Sequence, residues 1–506
     1  MRSTVTFLGH SGLDVRLGSS RVVCDPWLST RGAYLGAWQQ FPDNSRLEAS
    51  DLHDTPVLFI GSPRPDHLDV ETLRAFPRTV QVIVPAFRTR RLVDQLQQLG
   101  FGTVVELADW QPFDLGAGAQ LTVVASSTKH VLAATAIVEL DGQVVVNQND
   151  CPLDAEALAQ LAAKKPALHV VQLSGPSYFP AAYDFPPDQM GVEIEQALAR
   201  RSANFYEAVA GVTARRVVPV GGPCFLEGRT FQSGAGEGLL PDADELLAKT
   251  ARERPELAER MRLLYPGDAA TLDGDGGEWQ LAGHKPYDDK ARHLEQQRRA
   301  RQPLADGLLA ELRASAEPVE IKDLRSHLRD LFQFEDMTWD LGLLIQVRLA
   351  DGPSMWIDFR KKPYRFLTES EEAASHVLTV DSAWISLVLQ EKLSWHDLLM
   401  AGLVSLHAER GSEKLMAHFD FRHDAALFDL VRWLNPALIT LQDEKMEYVC
   451  QRFCPHRGRD LEYAVIERGV LTCTAHGWRF DLRKGGKCLW GGDAPLIVKE
   501  IRPLKA

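Results

Sequence analysis

The sequence predicts three folded parts: a layered α/β amino-terminal domain, an α+β middle module and a small all-β carboxy-terminal domain that holds metal. Three observations carry this prediction. Apolar strands in the first half end in histidine and aspartate, a usual place for ligands in layered α/β folds. In the middle, a hairpin pattern gives way to helical periodicity. Near the end, two short strand-flanked loops each carry one cysteine and one histidine.

Size agrees with several domains, because single cores rarely grow beyond roughly 250–300 residues and this chain has 506. Its 45% hydrophobic and 25% charged residues are ordinary for a globular protein. A formal net charge of -13 argues against nucleic-acid binding, which needs basic surface. The opening "MRSTVTFLGHSG" has no apolar signal core. No uncharged apolar run reaches the roughly 18–20 residues that span a bilayer. The seven cysteines are too sparse for a disulfide scaffold, and four fall between Cys450 and Cys488. A reducing, cytoplasmic location and a local metal site are therefore expected, with no membrane partner.

The amino-terminal reading begins with strands at Val5–Leu8 and Val15–Leu17 and the buried-looking "RVVCDPW". An apolar strand, "TPVLFIG", then runs into a loop with Ser62, Arg64, Asp66 and His67. Later strands end at His130 and Asp150. His10, at an early turn, either supports a ligand or packs. From residue 286 the sequence is highly charged, and Leu304, Leu308, Leu309 and Leu312 suggest an amphipathic connector packed on a neighbour. "WDLGLLIQVRLADGPSMWIDFR" reads as a hairpin turning at Asp351 and Gly352. The helical stretch after it contains His396, His407, His418 and His423 without ligand spacing.

The last segment reads Cys454-Pro455-His456, then, after sixteen intervening residues, Cys473-Thr474-Ala475-His476. Zinc fingers group cysteines with cysteines and histidines with histidines. Here each loop supplies one of each, which suits a [2Fe–2S] cluster with two cysteines on one iron and two histidines on the other. Pro455, Gly458 and Gly477 supply turn chemistry, and "VIERGVLTC" reads as a hairpin turning near Gly469. Cys450 and Cys488 are read as packing residues.

These residues, with Gly477 and Trp478, resemble the Rieske iron–sulfur domain over roughly residues 435–506. The resemblance implies Cys454 and Cys473 on the inner iron, His456 and His476 on the outer. It is closest to oxygenase and ferredoxin types, because the loops lack the second cysteine pair of respiratory Rieske proteins.

The first part resembles the metallo-β-lactamase fold, an αββα sandwich, over most of residues 1–285. That family's His-x-His-x-Asp-His signature reads Ser62-Pro63-Arg64-Pro65-Asp66-His67 here, with His130 and Asp150 where the lone His and Asp belong. "GHSG", "CDPWL", "NDC" and "SGPSYFP" are similar to the CMP-N-acetylneuraminate hydroxylase family, which joins this fold to a Rieske domain, amino-terminal in the animal enzyme. Replacement of two signature histidines implies a mononuclear non-haem iron on His67, His130 and Asp150, with Asp66 as ligand or support; a dinuclear site or none is the alternative. Arg64 could instead bind an anionic substrate group. Residues 286–434 are read as a charged helical connector and an α+β module, which over roughly 315–433 resembles, by pattern alone, the sterol-carrier-protein-2 type.

The expectation is a monooxygenase that uses O2 on a small polar, anionic or sugar-nucleotide-like substrate. Without a dinucleotide fingerprint, its electrons come from a separate reductase, ferredoxin or cytochrome. The cluster should approach the iron within one chain or across a homodimer. The alternatives are an electron-transfer protein with a metal-free binding domain, and a zinc hydrolase with an accessory cluster.

Overall fold

The computed structural model describes residues 3–128, 131–173, 177–220, 224–225, 243–272, 279–333, 338, 341–408, 413–421, 437–456, 458–492 and 494–504. The chain divides into two compact units, residues 1–315 with 397–403, and residues 316–396 with 404–506.

In the first unit, strands β1 (Ser3–Gly9), β2 (Gly12–Leu17) and β3 (Ser20–Cys24) form an antiparallel meander. After the short β4 (Trp38–Gln39), the strands β5 (Val57–Phe59), β6 (Gln81–Pro85) and β7 (Thr103–Leu107) extend the same sheet in parallel from β3. A second sheet holds β8 (Pro112–Gly116), β9 (Ala119–Ala125), β10 (Ala134–Leu140), β11 (Gln143–Asn149), β12 (Leu168–Gln172) and β13 (Arg216–Val220), in the order β13-β12-β11-β10-β9-β8. It too is antiparallel on one side and parallel on the other. The short β14 (Cys224–Phe225) pairs with β4, while β15 (Ala269–Leu272) and β16 (Gln280–Leu281) continue the first sheet beyond β1.

Strand alternation explains the layering, because successive side chains point to opposite faces. Val57 and Phe59 join Val22 and Cys24 in a core shared with Val123, Ala136 and Val170 of the second sheet. Leu58 and Val23 face the other way, against Leu73, Leu92 and Leu96 of helices α1 (Val70–Arg74) and α2 (Arg91–Gln98). Val124, Ile137 and Val146 pack against α3 (Ala155–Ala163) and α4 (Pro187–Val212) on the opposite outer face. Helix, sheet, sheet, helix is the αββα sandwich that the resemblance implied.

The charged connector is α7 (Lys290–Ala314), following α5 (Ala243–Glu253) and α6 (Pro255–Ala258). Asp289 caps it, accepting from the Arg292 backbone N–H at 3.0 Å. Of the expected leucine stripe, Leu308, Leu309 and Leu312 are half-buried. Leu304 is 48% exposed while Ala305 is buried. Gln297 donates to the Gln40 carbonyl and Arg301 donates to Asp43 at 2.9 Å. Gly36 leaves no room for a Cβ beside Ala305. Residues 297, 301 and 305 lie four apart on one helix face, so small and polar side chains make this contact.

The second unit opens with α8 (Ile321–Leu331) and a sheet of β17 (Leu344–Leu349), β18 (Ser354–Asp358), β19 (Arg365–Leu367), β20 (His376–Val380) and β21 (Val404–Ala408), ordered β19-β18-β17-β20-β21. β17 and β18 form the hairpin expected around Asp351 and Gly352. The carboxy-terminal part is all β. One sheet pairs β22 (Leu438–Gln442), β23 (Met446–Gln451) and β28 (Val498–Pro503). The other joins β24 (Val465–Glu467), β25 (Val470–Thr472), β26 (Arg479–Asp481) and β27 (Lys487–Trp490). The β24–β25 turn uses left-handed Arg468 and Gly469 (φ 50° and 79°), as a two-residue hairpin with both central residues at positive φ requires.

Candidate functional sites: a strand-edge centre and two cluster loops

β1, β3 and β5 run in the same direction, so their carboxy-terminal ends lie along one edge of the first sheet. There the chain places His10 and Ser11, Asp25, and the loop Ser62 to His67; Asn149 and Asp150 arrive from the end of β11. His10, Asp25 and Asn149 all take left-handed backbone, at φ 48°, 40° and 46°. His, Asp and Asn tolerate that conformation better than most residues, and such strain gathers at functional sites.

His67 is fully buried. Its Nδ1 lies 3.1 Å from Asp25 Oδ2 and 3.2 Å from Ser11 Oγ. Asp25 is itself held, accepting from the Gly61 N–H at 2.7 Å. Fixing one imidazole nitrogen on a carboxylate orients the other, as around metal-bound histidines. Asp66, also buried, has Oδ2 3.0 Å from His10 Nε2 and accepts from the Tyr34 hydroxyl at 3.0 Å on Oδ1. Among the described residues, His10, Asp66 and His67 bring ligand atoms within 4.8 Å of one another.

Ser62 and Arg64, where the resemblance expected two signature histidines, work as a pair. Ser62 Oγ accepts from Arg64 Nε at 3.1 Å. Arg64 Nη2 then donates to Asp150 at 2.7 and 2.6 Å and lies 2.8 Å from His67 Nε2. The Arg64 and Asp150 side chains are 26% and 18% exposed, whereas Asp66 and His67 are closed off. Burial alone would raise the pKa of Asp66, but Arg64 and His67 outweigh it and hold this carboxyl well below its usual range. Asp150 is lowered against the same burial penalty, chiefly by Arg64. Burial and the Asp66 charge push the Tyr34 phenol well up.

Of the expected ligands, the structure therefore brings together Asp66, His67 and Asp150, with Arg64 between the last two. His130 lies outside the described residues. Sequence reasoning gave Asp25 and Tyr34 no role and left His10 undecided. Asp25 carried the same signal as Asp150, an acid closing an apolar strand; Tyr34 carried none.

In the second unit, the two cysteine loops have one backbone design. Cys454 N–H donates to the Arg459 carbonyl at 2.8 Å, and Gly458 N–H returns to the Cys454 carbonyl at 2.9 Å. Cys473 N–H donates to Trp478 at 2.8 Å, and Gly477 N–H returns to Cys473 at 2.9 Å. Both glycines are left-handed, at φ 65° and 69°, which a Cβ would oppose. Cys454 and Cys473 are 1% exposed and sit in an apolar core with Leu471, Phe480 and Leu496. The rings of His456 and His476 are 4.9 Å apart, and Trp478 stacks on His456 at 4.6 Å with a 7° tilt. Buried thiols and outward imidazoles on paired loops fit a cluster with one shielded and one accessible iron.

Residues 422–497 match the family model of the Rieske [2Fe-2S] domain. This part of the chain is a Rieske domain. Its sheet extends past the matched segment, since β28 pairs with β23 as far as Pro503. The whole chain is 27% identical, over 96% of its length and 97% of the other, to a Mycobacterium tuberculosis (strain H37Rv) protein named as a Rieske 2Fe-2S iron-sulfur protein. A shorter similarity, 29% identity over 29% of this chain and 26% of the other, links it to cytidine monophosphate-N-acetylneuraminic acid hydroxylase of Mus musculus. Among solved structures it is similar to CmlA, a diiron β-hydroxylase from Streptomyces venezuelae. That match has a TM-score of 0.35 and 16% identity, covering 53% of this chain and 54% of that one. The αββα sandwich with its ligand-type edge is metallo-β-lactamase-like. No helix among the described residues is long and apolar enough to cross a membrane.

Proposed function

We propose that the chain is a Rieske-linked oxygenase that hydroxylates a small polar, anionic substrate, using O2 and electrons from a separate reductase, ferredoxin or cytochrome. One observation carries the reading: a single chain combines Rieske cluster loops with a buried two-histidine, one-carboxylate set, His10, Asp66 and His67. That donor set is the one non-haem iron uses when positions must stay open for oxygen and substrate. Asp150, with Oδ1 3.6 Å from His67 Nε2, and His130 are further donors in this proposal. The similarity to a hydroxylase supports it.

Iron held there would activate oxygen, drawing single electrons from the cluster. The protein's own part is positional. Asp25 and Ser11 fix the tautomer and plane of His67. Arg64 and His67 hold Asp66 ionised, and Tyr34 and His10 orient it. Sheet and helix packing bury His67 and Asp66, while the Arg64 and Asp150 side chains stay partly exposed.

A second reading has a specific observation behind it. Arg64 places a permanent positive charge on His67 Nε2 and Asp150, which is the service a metal would otherwise perform. On that reading the sandwich is a metal-free binding domain attached to an electron carrier. Iron and acid-labile sulfide, measured per chain on protein purified anaerobically without chelator, separate the two. Three irons to two sulfides, with substrate-dependent O2 uptake in the presence of a reductase, is the outcome expected for the oxygenase. Two irons to two sulfides, with no third iron taken up on reconstitution, would leave the metal-free reading.

A further inference from the structure

Beside the centre lies a cleft of about 290 Å³, walled by Asp150 at the end of β11, by Leu158 of α3 and by α4. Helix α4 presents Arg201, Asn204, Phe205 and Glu207 to it. Arg201, Asn204 and Phe205 fall at i, i+3 and i+4, so they share one helix face. Arg201 is half-buried and is joined to no carboxylate among the described residues. Burial first, and then the like charge of Arg200, lower its pKa. A guanidinium withdrawn from water without a counter-charge is costly, and its planar fork is shaped for a carboxylate or phosphate.

We propose that this cleft binds a monosaccharide-sized anion, with its carboxylate or phosphate group on Arg201 and its hydroxyls on Asn204 and Glu207. Pro152 and Leu153, which also line the cleft and are not buried, supply the apolar surface on which a sugar's C–H face packs. The volume sits at the lower end of ligand pockets, roughly 300–1,000 Å³, and a sugar acid or sugar phosphate fits within it. Asp150 belongs to both, lining this cleft and accepting from Arg64 at the centre. The binding itself is independent of the oxygenase reading; only the ligand's role as substrate rests on it.

Isothermal titration of the full-length, cluster-loaded protein tests this with D-glucuronate, inorganic phosphate and, as neutral control, D-glucose. Wild-type protein should bind glucuronate, phosphate or both, and bind glucose at least tenfold more weakly than the better anion. Glucuronate alone would identify a carboxylate ligand, and phosphate binding that excludes glucuronate a phosphorylated one. Arg201→Gln should weaken anion binding at least tenfold, Arg201→Lys less. Arg200→Gln, which removes the same charge from an exposed neighbour, should bind as wild type does. Equal binding by wild type and Arg201→Gln, an equal loss in Arg200→Gln, or no anion binding by wild type would overturn the proposal. Oxygen uptake measured separately reports on the oxygenase reading, so anion binding without uptake would fault that reading and leave this one standing.

Discussion

Arg64 donates to both carboxylate oxygens of Asp150, at 2.7 and 2.6 Å, across 86 residues of sequence. The same Nη2 lies 2.8 Å from His67 Nε2. One guanidinium thus engages both Asp150 and His67, two residues that the sequence reading took as metal ligands.

Removing this guanidinium should raise metal affinity. Arg64→Ala frees His67 Nε2 and Asp150, and Fe²⁺ or Zn²⁺ should bind at least tenfold more tightly than to wild type, read by calorimetry on anaerobic protein. Without metal the variant should be less stable by about 1–3 kcal/mol, because Asp150 and His67 lose a buried hydrogen-bond donor. Added metal should restore the loss. Unchanged affinity would mean that Arg64 does not compete with a cation.

Asp25→Asn tests the support behind His67. The amide keeps the shape of the group but removes the charge facing Nδ1. Partners of this kind are typically worth 10–100-fold in metal affinity, so iron should be lost from the non-cluster site while the two sulfides stay. Metal counts equal to wild type would show that His67 needs no such partner.

The cluster loops predict a graded series. Cys454→Ser and Cys473→Ser should abolish the visible absorption and the reduced-state EPR signal, with loss of both sulfides. Gly458→Ala and Gly477→Ala force a Cβ into left-handed backbone, at roughly 1–2 kcal/mol each. They should assemble a cluster that chelator strips faster. Trp478→Ala should do likewise by unstacking His456, and Trp478→Phe should behave close to wild type.

Thiol chemistry should follow burial. The Cys450 thiol is fully buried, and desolvation pushes its pKa up to about 12, while Cys488 is partly exposed. Iodoacetamide at pH 8.5 should therefore label Cys488 and spare Cys450 until the protein unfolds. The sign for stability follows. Above the ordinary thiol pKa the unfolded chain releases this proton and the folded chain keeps it. Cys450 thus costs about 1.4 kcal/mol of stability per pH unit, from the unfolded value up to about 12. Equal labelling of both cysteines in the native protein would refute the burial argument.

The carboxy-terminal centre could be read from sequence because its chemistry is local. Cys454 with His456, and Cys473 with His476, are fixed by short loops whose glycines and closing hydrogen bonds lie within the same few residues. Periodicity also announced the amino-terminal strands and their ligand-type ends. What those ends do was decided by tertiary packing. His10 meets Asp66 across 56 residues and Asn149 meets Asp25 across 124. Nothing in the spacing of Ser62 and Arg64 says where a guanidinium will point. The helix at Lys290–Ala314 teaches the same lesson, since its leucines marked an apolar stripe while Gln297, Arg301 and Ala305 made the contact. Sequence alone determined the cluster, the layered fold and the acids and histidines available at its edge. Only the folded chain decided that Arg64 lies on Asp150 and His67, because charge pairing inside a low-dielectric edge depends on which strand ends meet there.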